Sequence, residues 1–248
     1  MPNRIKIMPF YDNFLDRGKS ITFIGGKIIK SEIVNRLKLI DQFCNARMPK
    51  ILEFGPGKGH FARTATQHQW EYFAVDGSPT LVKKLRRSGF NVIEAFVPPL
   101  PPNLTKDFDV VLMEHFIEHM GTPGEARDLI FQSWDKLRSG GIIILVAPDY
   151  LSHKENFWNS DYTHSFVTTL ERLNQLISDG SFSTVYAGYE TLGIRNRFLV
   201  WLISTMTRMI YFFGIPQLIS LTFTGSFARS NKWKNVLLRS CVIVGKKE

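Results

Sequence analysis

The 248-residue chain has only two cysteines, Cys44 and Cys241. Two thiols are too few for a disulfide framework or a thiolate metal site, so the expected setting is the reducing cytoplasm. The first residues, MPNRIKIMPFYDNF, are basic but contain no continuous apolar core of signal-peptide length, and secretion is not expected. Acidic residues are also in deficit, 22 against 31 Lys and Arg, which leaves a formal net charge of +9 and a pI of about 9.6. Such a surplus suits nucleic acid, an anionic membrane surface or an acidic substrate, and does not choose among them. With 44% apolar residues the chain is long enough for a full α/β domain, and one domain over 1–248 carrying an insertion is expected.

What is present is organised around Lys50 to Phe61, KILEFGPGKGHF. An apolar run ends in Glu53, and Gly55, Gly57 and Gly59 follow at alternate positions. This is not the G-x-G-x-x-G dinucleotide fingerprint, because the third glycine comes one residue too early. An apolar strand that runs through a glycine turn into a helix still brings bare backbone to a ligand, since glycine has no Cβ to block the approach. A nucleotide-like cofactor is expected there. Tyr72-Phe73-Ala74-Val75 reads as a second buried strand, ending at Asp76. In such units a carboxylate about 20 residues beyond the glycines accepts hydrogen bonds from ribose hydroxyls.

The remaining pattern alternates. Residues 1–30 read as an irregular lead-in, after which Ser31 caps a helix whose stripe is Ile33, Val34, Leu37, Ile40 and Phe43. A helix follows the glycine turn over about 59–68, and another follows Ser78-Pro79, with Lys83, Lys84, Arg86 and Arg87 on its solvated face. Phe90 to Phe96 is a third strand, closed by a loop holding Pro98, Pro99, Pro101 and Pro102. Phe108 to Met113 is a fourth, running into Glu114-His115-Phe116-Ile117-Glu118-His119. Thr122-Pro123 starts a helix that stops at Ser139-Gly140-Gly141, and Ile142 to Val146 is a fifth, fully apolar strand. Pro148 to Phe166 is expected to be one long loop, and loops of that length are more often functional than spacers. A helix through Leu170, Leu173, Leu176 and Ile177 precedes two last strands, 182–189 and 236–244. Strands alternating with helices predict a mostly parallel sheet with crossover helices.

EFGPGKG, AVD, DFDVVLMEHFIEHM, KLRSGGIIILVAP and CVIVGKK, in that order, resemble the class I, seven-stranded S-adenosylmethionine-dependent methyltransferases, within the small-molecule subgroup with type 11/23-like domains. The resemblance covers residues 31–189 and 236–247. It implies an α/β Rossmann-like three-layer sandwich with a mostly parallel seven-stranded sheet, and S-adenosyl-L-methionine as cofactor. It places the methionine end of the cofactor against Glu53, Gly55, Gly57 and Gly59, the ribose at Asp76, and the adenine near Glu94, Ala95 and Phe96. Glu114 and His115, at the end of the fourth strand, complete the expected cofactor contacts.

For catalysis the candidates are His119, His164 and Glu118. Only histidine titrates near neutrality without perturbation, so it suits deprotonating an attacking hydroxyl, and His153 is a third possible base. Asp161 and His164 fall in the loop expected over the substrate mouth. His115-x-x-Glu118-His119 also matches an inverted zinc-protease spacing, but that motif requires a helix, and here it follows a buried strand directly. A weaker reading has His115, Glu118 and His119 binding a divalent ion, since quinone-pathway methyltransferases are similar with an acid in place of His115. The plain alternative is that Glu118 and His119 cap and pack the turn, and no metal is assigned.

Residues 190–235 stand apart as an apolar helical insertion before the last strand. Leu199, Leu202, Ile203, Met206, Met209, Ile210 and Phe213 recur at helical spacing, flanked by Arg195, Arg197 and Arg208. Gly214 and Pro216 end the stretch short of a bilayer width, so a lid, a dimer contact or an interfacial helix over 195–215 is expected in place of a span. The function expected is methyl transfer to a hydroxyl of a small molecule, with a glycan or lipid-linked intermediate as acceptor, in the cytoplasm or peripherally at the inner face of a membrane. The rivals are nucleic-acid methylation, which lacks an Asn/Asp-Pro-Pro-aromatic motif or a suitable Cys, and a non-catalytic cofactor-binding or membrane adaptor.

Overall fold

A computed structural model describes residues 22–213 and 237–248. The lead-in before Thr22 and the part of the insertion over 214–236 lie outside the described residues.

Seven strands form one sheet: β1 (Lys50–Phe54), β2 (Glu71–Asp76), β3 (Asn91–Glu94), β4 (Phe108–Glu114), β5 (Leu137–Pro148), β6 (Ser183–Glu190) and β7 (Ser240–Lys246). Their spatial order is β3-β2-β1-β4-β5-β7-β6. The first five are parallel, and β7 runs antiparallel to both β5 and β6. The central strands are continuous apolar runs because both faces are covered. Along β1, Ile51 belongs to one core and Leu52 and Phe54 to the other. One face carries α1 (Phe23–Phe43), α2 (His60–Gln67) and α3 (Pro79–Arg87), packed through Leu39, Ile40, Phe61, Ala65, Val82 and Leu85. The other carries α4 (Pro123–Lys136) and α7 (Leu170–Asp179), through Ala126, Leu129, Ile130, Leu173 and Ile177. Each of the buried Leu, Ile, Val and Phe side chains among them contributes roughly 1.5–3 kcal/mol. The result is the expected three-layer α/β sandwich.

Five boundaries differ from expectation, one of them that of the last strand, which runs Ser240–Lys246 in place of 236–244. The first helix starts at Phe23, eight residues before Ser31, and its N-cap is Thr22, whose hydroxyl accepts from the Gly25 amide. Gly25-Gly26 therefore sits within a first helical turn in which the Gly25 amide donates to the Thr22 hydroxyl and the Gly26 amide to the Thr22 carbonyl, while Ser31 donates its hydroxyl to the Gly193 carbonyl. The third strand is confined to Asn91–Glu94. β5 begins at Leu137, because the 139–141 stretch pairs with the chain's end instead of turning freely: the Gly140 amide donates to Lys247 and the Lys247 amide to Gly141. The 148–166 segment is not a plain loop. It holds two short helices, α5 (Tyr150–His153) and α6 (Asn156–Ser160), with Asp149 capping the first and pairing with Arg239.

The described part of the insertion is α8 (Arg197–Phe212). It orients opposite to the usual amphipathic logic: Val200, Ser204 and Thr207 face inward, while Leu199, Leu202, Met206 and Met209 of the apolar stripe are exposed, with Trp201 beside them. The strands on either side meet at its neck, where Glu190 is opposite Ser240 and the Thr191 hydroxyl donates to the Leu237 carbonyl. Among the described residues, no helix is long and apolar enough to cross a membrane.

Candidate active site

Strand order reverses between β1 and β4, and the carboxyl ends of β1, β2 and β4 open onto one crevice, the usual ligand position in such sheets. The glycine turn forms its first wall. Gly55, Gly57 and Gly59 all have left-handed backbones, with φ of 66°, 51° and 69°. A Cβ on Gly55 would lie 2.6 Å from the Phe116 ring and one on Gly59 2.7 Å from Leu85, whereas one on Gly57 would meet nothing within 4 Å. The turn is thus closed against the protein on two sides and open at Gly57, where a ligand can approach the backbone. Gly59 is also the N-cap of α2 and supplies no side-chain cap.

Below the turn, Glu53 is buried and accepts from the Tyr72 hydroxyl. Burial raises its pKa to about 8, aided by the charges of Glu114 and Asp76 and opposed by the Tyr72 hydrogen bond. Asp76 ends β2, also buried, with Oδ1 accepting from the Ser78 amide at 2.8 Å. Burial lifts its pKa to about 6 against that hydrogen bond. Ala95 donates its amide to the Asp76 carbonyl at 3.0 Å, which brings the end of β3 beside this carboxylate. Glu94 is exposed there, and the half-exposed Phe96 ring lies against Gly77, where a Cβ would approach it to 2.8 Å.

Glu114 is engaged from the other side. Arg36, fully buried on α1, donates to Glu114 Oε1 from Nε at 3.2 Å and from Nη2 at 3.0 Å, and pairs with Glu190 through Nη1 at 3.0 Å and through Nη2. Burial pulls the guanidinium toward losing its charge, but the two carboxylates outweigh it and keep it cationic. Neighbouring Glu32 is pushed up to about 7, by burial first and then by Glu114. Sequence reasoning missed this clamp, and it missed Phe116 as the cover of the glycine turn.

The turn after β4 holds the third wall. His115 has φ of 51° and a side chain 53% exposed, with Nδ1 3.5 Å from Glu118 Oε1. Glu118 and His119 lie on a 3-10 turn, Ile117–His119, so the protease-like spacing does not sit on an α-helix. The Glu118 carboxylate is fully buried, yet it is held below the usual range: burial raises its pKa, and His115 and His119 more than reverse that. Its backbone carbonyl accepts from both the Ser165 and Phe166 amides at 3.0 Å, which ties the following loop to this turn. That loop delivers His164. Its ring lies 4.9 Å from that of His119, and Nδ1 donates to the Phe157 carbonyl at 2.6 Å. Burial is the main cause of its lowered pKa. His119 Nδ1 stands 2.8 Å from Thr163 Oγ1, which itself donates to Asp161 Oδ1 at 2.6 Å. The Thr163 oxygen is therefore the acceptor, and His119 carries its proton on Nδ1.

The fold brings Glu118, His119 and His164 together, with one ligand-type atom from each all within 4.8 Å of one another. His115 is not of this group, so the expected trio of His115, Glu118 and His119 is corrected: His164, delivered by the following loop, joins Glu118 and His119, while His115 reaches Glu118 alone, at 3.5 Å. His153 is also outside it, buried with its pKa brought down to about 4 by that burial. Such an arrangement can accept a proton or hold a cation.

A family model described as a methyltransferase domain matches residues 26–185. Among solved structures, similarity extends to a SAM-dependent methyltransferase from Archaeoglobus fulgidus, 19% identical with a TM-score of 0.56, covering 87% of this chain and 92% of that one. A putative sarcosine dimethylglycine methyltransferase from Galdieria sulphuraria is 13% identical with a TM-score of 0.56, covering 87% and 84%. An S-adenosylmethionine-dependent methyltransferase from Clostridium acetobutylicum is 10% identical with a TM-score of 0.58, covering 98% of both chains. These identities speak for the shared fold. Among curated proteins, none matches.

Proposed function

The chain belongs to the methyltransferase domain family and is an S-adenosylmethionine-dependent methyltransferase acting on a small molecule; on that premise we propose that it methylates a hydroxyl, on a glycan or a lipid-linked intermediate. The observation that carries this reading is the Glu118–His119–His164 group, with Glu118 and His164 buried, which follows closely in the chain on Phe116, the ring against Gly55.

The cofactor supplies a methyl group on a sulfonium, which needs no covalent activation by the protein. The chain's own residues bind and orient. Gly57 leaves the backbone open to the methionine end, with Glu53 beneath and the uncapped start of α2 beside it. Asp76 uses the carboxylate oxygen not taken by Ser78 to accept from the ribose hydroxyls. Phe96, with Glu94 and Ala95, flanks the adenine. Glu114 does not reach for the cofactor as a free carboxylate; held by Arg36, it sets the end of β4 and with it the position of His115. On the acceptor side, His119 and His164 each carry a proton on Nδ1, so Nε2 is the basic nitrogen that takes the acceptor's proton, and Glu118 stabilises the imidazolium that forms.

A lipid-linked acceptor is favoured by α8, whose exposed face carries Leu199, Trp201, Leu202, Met206 and Met209 with Arg197 and Arg208 alongside. Such a helix lies in a bilayer interface, and net positive charge draws it to anionic lipid. Trp201→Glu in the full chain is expected to reduce sedimentation with anionic vesicles.

The test of function is transfer of labelled methyl from S-adenosylmethionine into cell extract fractionated into lipid, polysaccharide, RNA and quinone pools. Label is expected in the lipid or polysaccharide pool. Label only in RNA would make the nucleic-acid reading the correct one, and cofactor binding without label in any pool would favour a non-catalytic role. His119→Ala is expected to lower turnover with cofactor affinity retained.

A further inference from the structure

We infer that Glu118, His119 and His164 form the binding site of one divalent cation of the zinc-like borderline class, which holds the oxygen of the methyl acceptor. The inference rests on the reading of this crevice as the acceptor end of a methyltransferase site, and deepens it.

Glu118 supplies the first argument. Its side chain is fully buried, and neither carboxylate oxygen has a hydrogen-bond partner among the described residues. His115 Nδ1 faces Oε1 at 3.5 Å from a half-exposed ring, an ion pair that leaves Oε1 without a hydrogen bond. A buried anion with unsatisfied oxygens is costly, by several kcal/mol in general, unless something charged meets it. The two histidines supply the second. His164 donates Nδ1–H to the Phe157 carbonyl and His119 donates Nδ1–H to Thr163, which Asp161 fixes in turn. Anchoring one ring nitrogen on a backbone carbonyl, or through a hydroxyl on a carboxylate, sets the tautomer and ring direction in metal sites, leaving Nε2 as the ligand. The spacing supplies the third. The three ligand atoms lie within 4.8 Å of one another, and donors about 2.1 Å from a common ion sit roughly 3–4 Å apart, so small side-chain movements close the sphere.

Donor chemistry sets the class of ion. Two imidazoles and one carboxylate suit zinc, cobalt, manganese, iron(II) or nickel, whereas magnesium and calcium select all-oxygen sets. Three protein ligands leave a position open for an exogenous oxygen. An acceptor hydroxyl held there loses its proton to solvent water more readily. Its lone pair then forms the new O–C bond, the C–S bonding pair returns to sulfur, and the donor departs as a neutral thioether. With the ion bound, the Nε2 lone pairs of His119 and His164 are committed to the metal, so the proton they would accept in the metal-free site passes to solvent.

The experiment is titration of chelator-stripped full-length protein with Co²⁺, followed by its visible ligand-field bands, and then displacement by Zn²⁺. One equivalent is expected to bind, and His119→Gln and His164→Gln to weaken binding by about 100-fold or more. S-adenosylhomocysteine binding, measured on the same samples, reports folding and the donor site separately. No Co²⁺ or Zn²⁺ binding by wild-type protein that binds S-adenosylhomocysteine overturns the inference and leaves the methyltransferase reading intact, whereas loss of S-adenosylhomocysteine binding in the wild type overturns that reading itself. Wild-type affinity in either variant also refutes the site. X-ray absorption of the zinc-loaded wild type needs no substitution: two imidazoles in the sphere are expected, and their absence refutes the assignment.

Discussion

Asp76→Asn separates ribose recognition from every other role in the crevice. The substitution keeps the shape of the side chain and keeps an oxygen for the Ser78 amide, which Asp76 Oδ1 now accepts at 2.8 Å, so the start of α3 is preserved. What changes is the outer atom, which turns from a charged acceptor into an amide donor facing two hydroxyls. Hydrogen bonds to a charged group are worth about 1.5–3 kcal/mol each. Losing two, with partial recovery through reoriented hydroxyls, comes to ~3 kcal/mol, or about 150-fold in affinity. The assay is titration calorimetry with S-adenosylhomocysteine at pH 8, with the thermal midpoint checked to remain that of the wild type. A pH series adds a second readout. Burial places the Asp76 pKa at about 6 in the cofactor-free protein, and only the ionised carboxylate accepts from both hydroxyls, so wild-type affinity falls as pH drops through 6 by up to about tenfold per unit. The Asn variant lacks that dependence. Affinity within threefold of wild type at pH 8, or the same pH profile in both proteins, would refute the assignment of Asp76 to the ribose.

Two further outcomes follow from buried charge. Arg36→Leu leaves Glu114 and Glu190 without their shared cation, at a cost of about 3–5 kcal/mol read from the urea midpoint at pH 7; an unchanged midpoint would mean that the clamp carries no stability. Glu53 has a folded-state pKa of about 8 against the usual 4.5, so the folded protein keeps a proton that the unfolded chain has already lost between those values. Stability of the cofactor-free protein therefore declines as pH rises from 4.5 to 8, and Glu53→Gln removes that decline, gaining up to a few kcal/mol relative to wild type by pH 8. Thermal unfolding across this range checks it, and parallel pH slopes in the two proteins would contradict it.

The parts legible in the sequence are those whose signal is local. The glycine turn and Asp76 declare themselves because strand, turn and acid follow within 27 residues of Lys50, and the apolar runs of β4 and β5 need no context to be read as buried strands. His119 and His164 were readable as candidates by residue type. Their meeting was not, since it depends on Ser165 and Phe166 donating to the Glu118 carbonyl. The Arg36 clamp was illegible for the same reason: its partners lie 78 and 154 residues away, and an Arg on a helix otherwise reads as solvated. Gly25-Gly26, within the expected irregular lead-in, and Ser139-Gly140-Gly141 mislead in opposite settings. Glycine reads as a breaker, whereas the Thr22 cap at one site and pairing to Lys247 at the other override its local preference. The two short helices in the 148–166 segment are below the length at which an apolar period can be seen.

The neck of the insertion bears on how freely the insertion's length can change. Because Glu190 pairs with Ser240 and Thr191 reaches Leu237, the chain leaves the sheet and returns to it at one point. Closing a longer or shorter excursion between two such fixed posts costs only a logarithm of its length, about 0.6 kcal/mol for a doubling. A change in the length of the excursion would therefore leave the pairing of β6 with β7, and with it the register of the sheet that carries the donor half, in place.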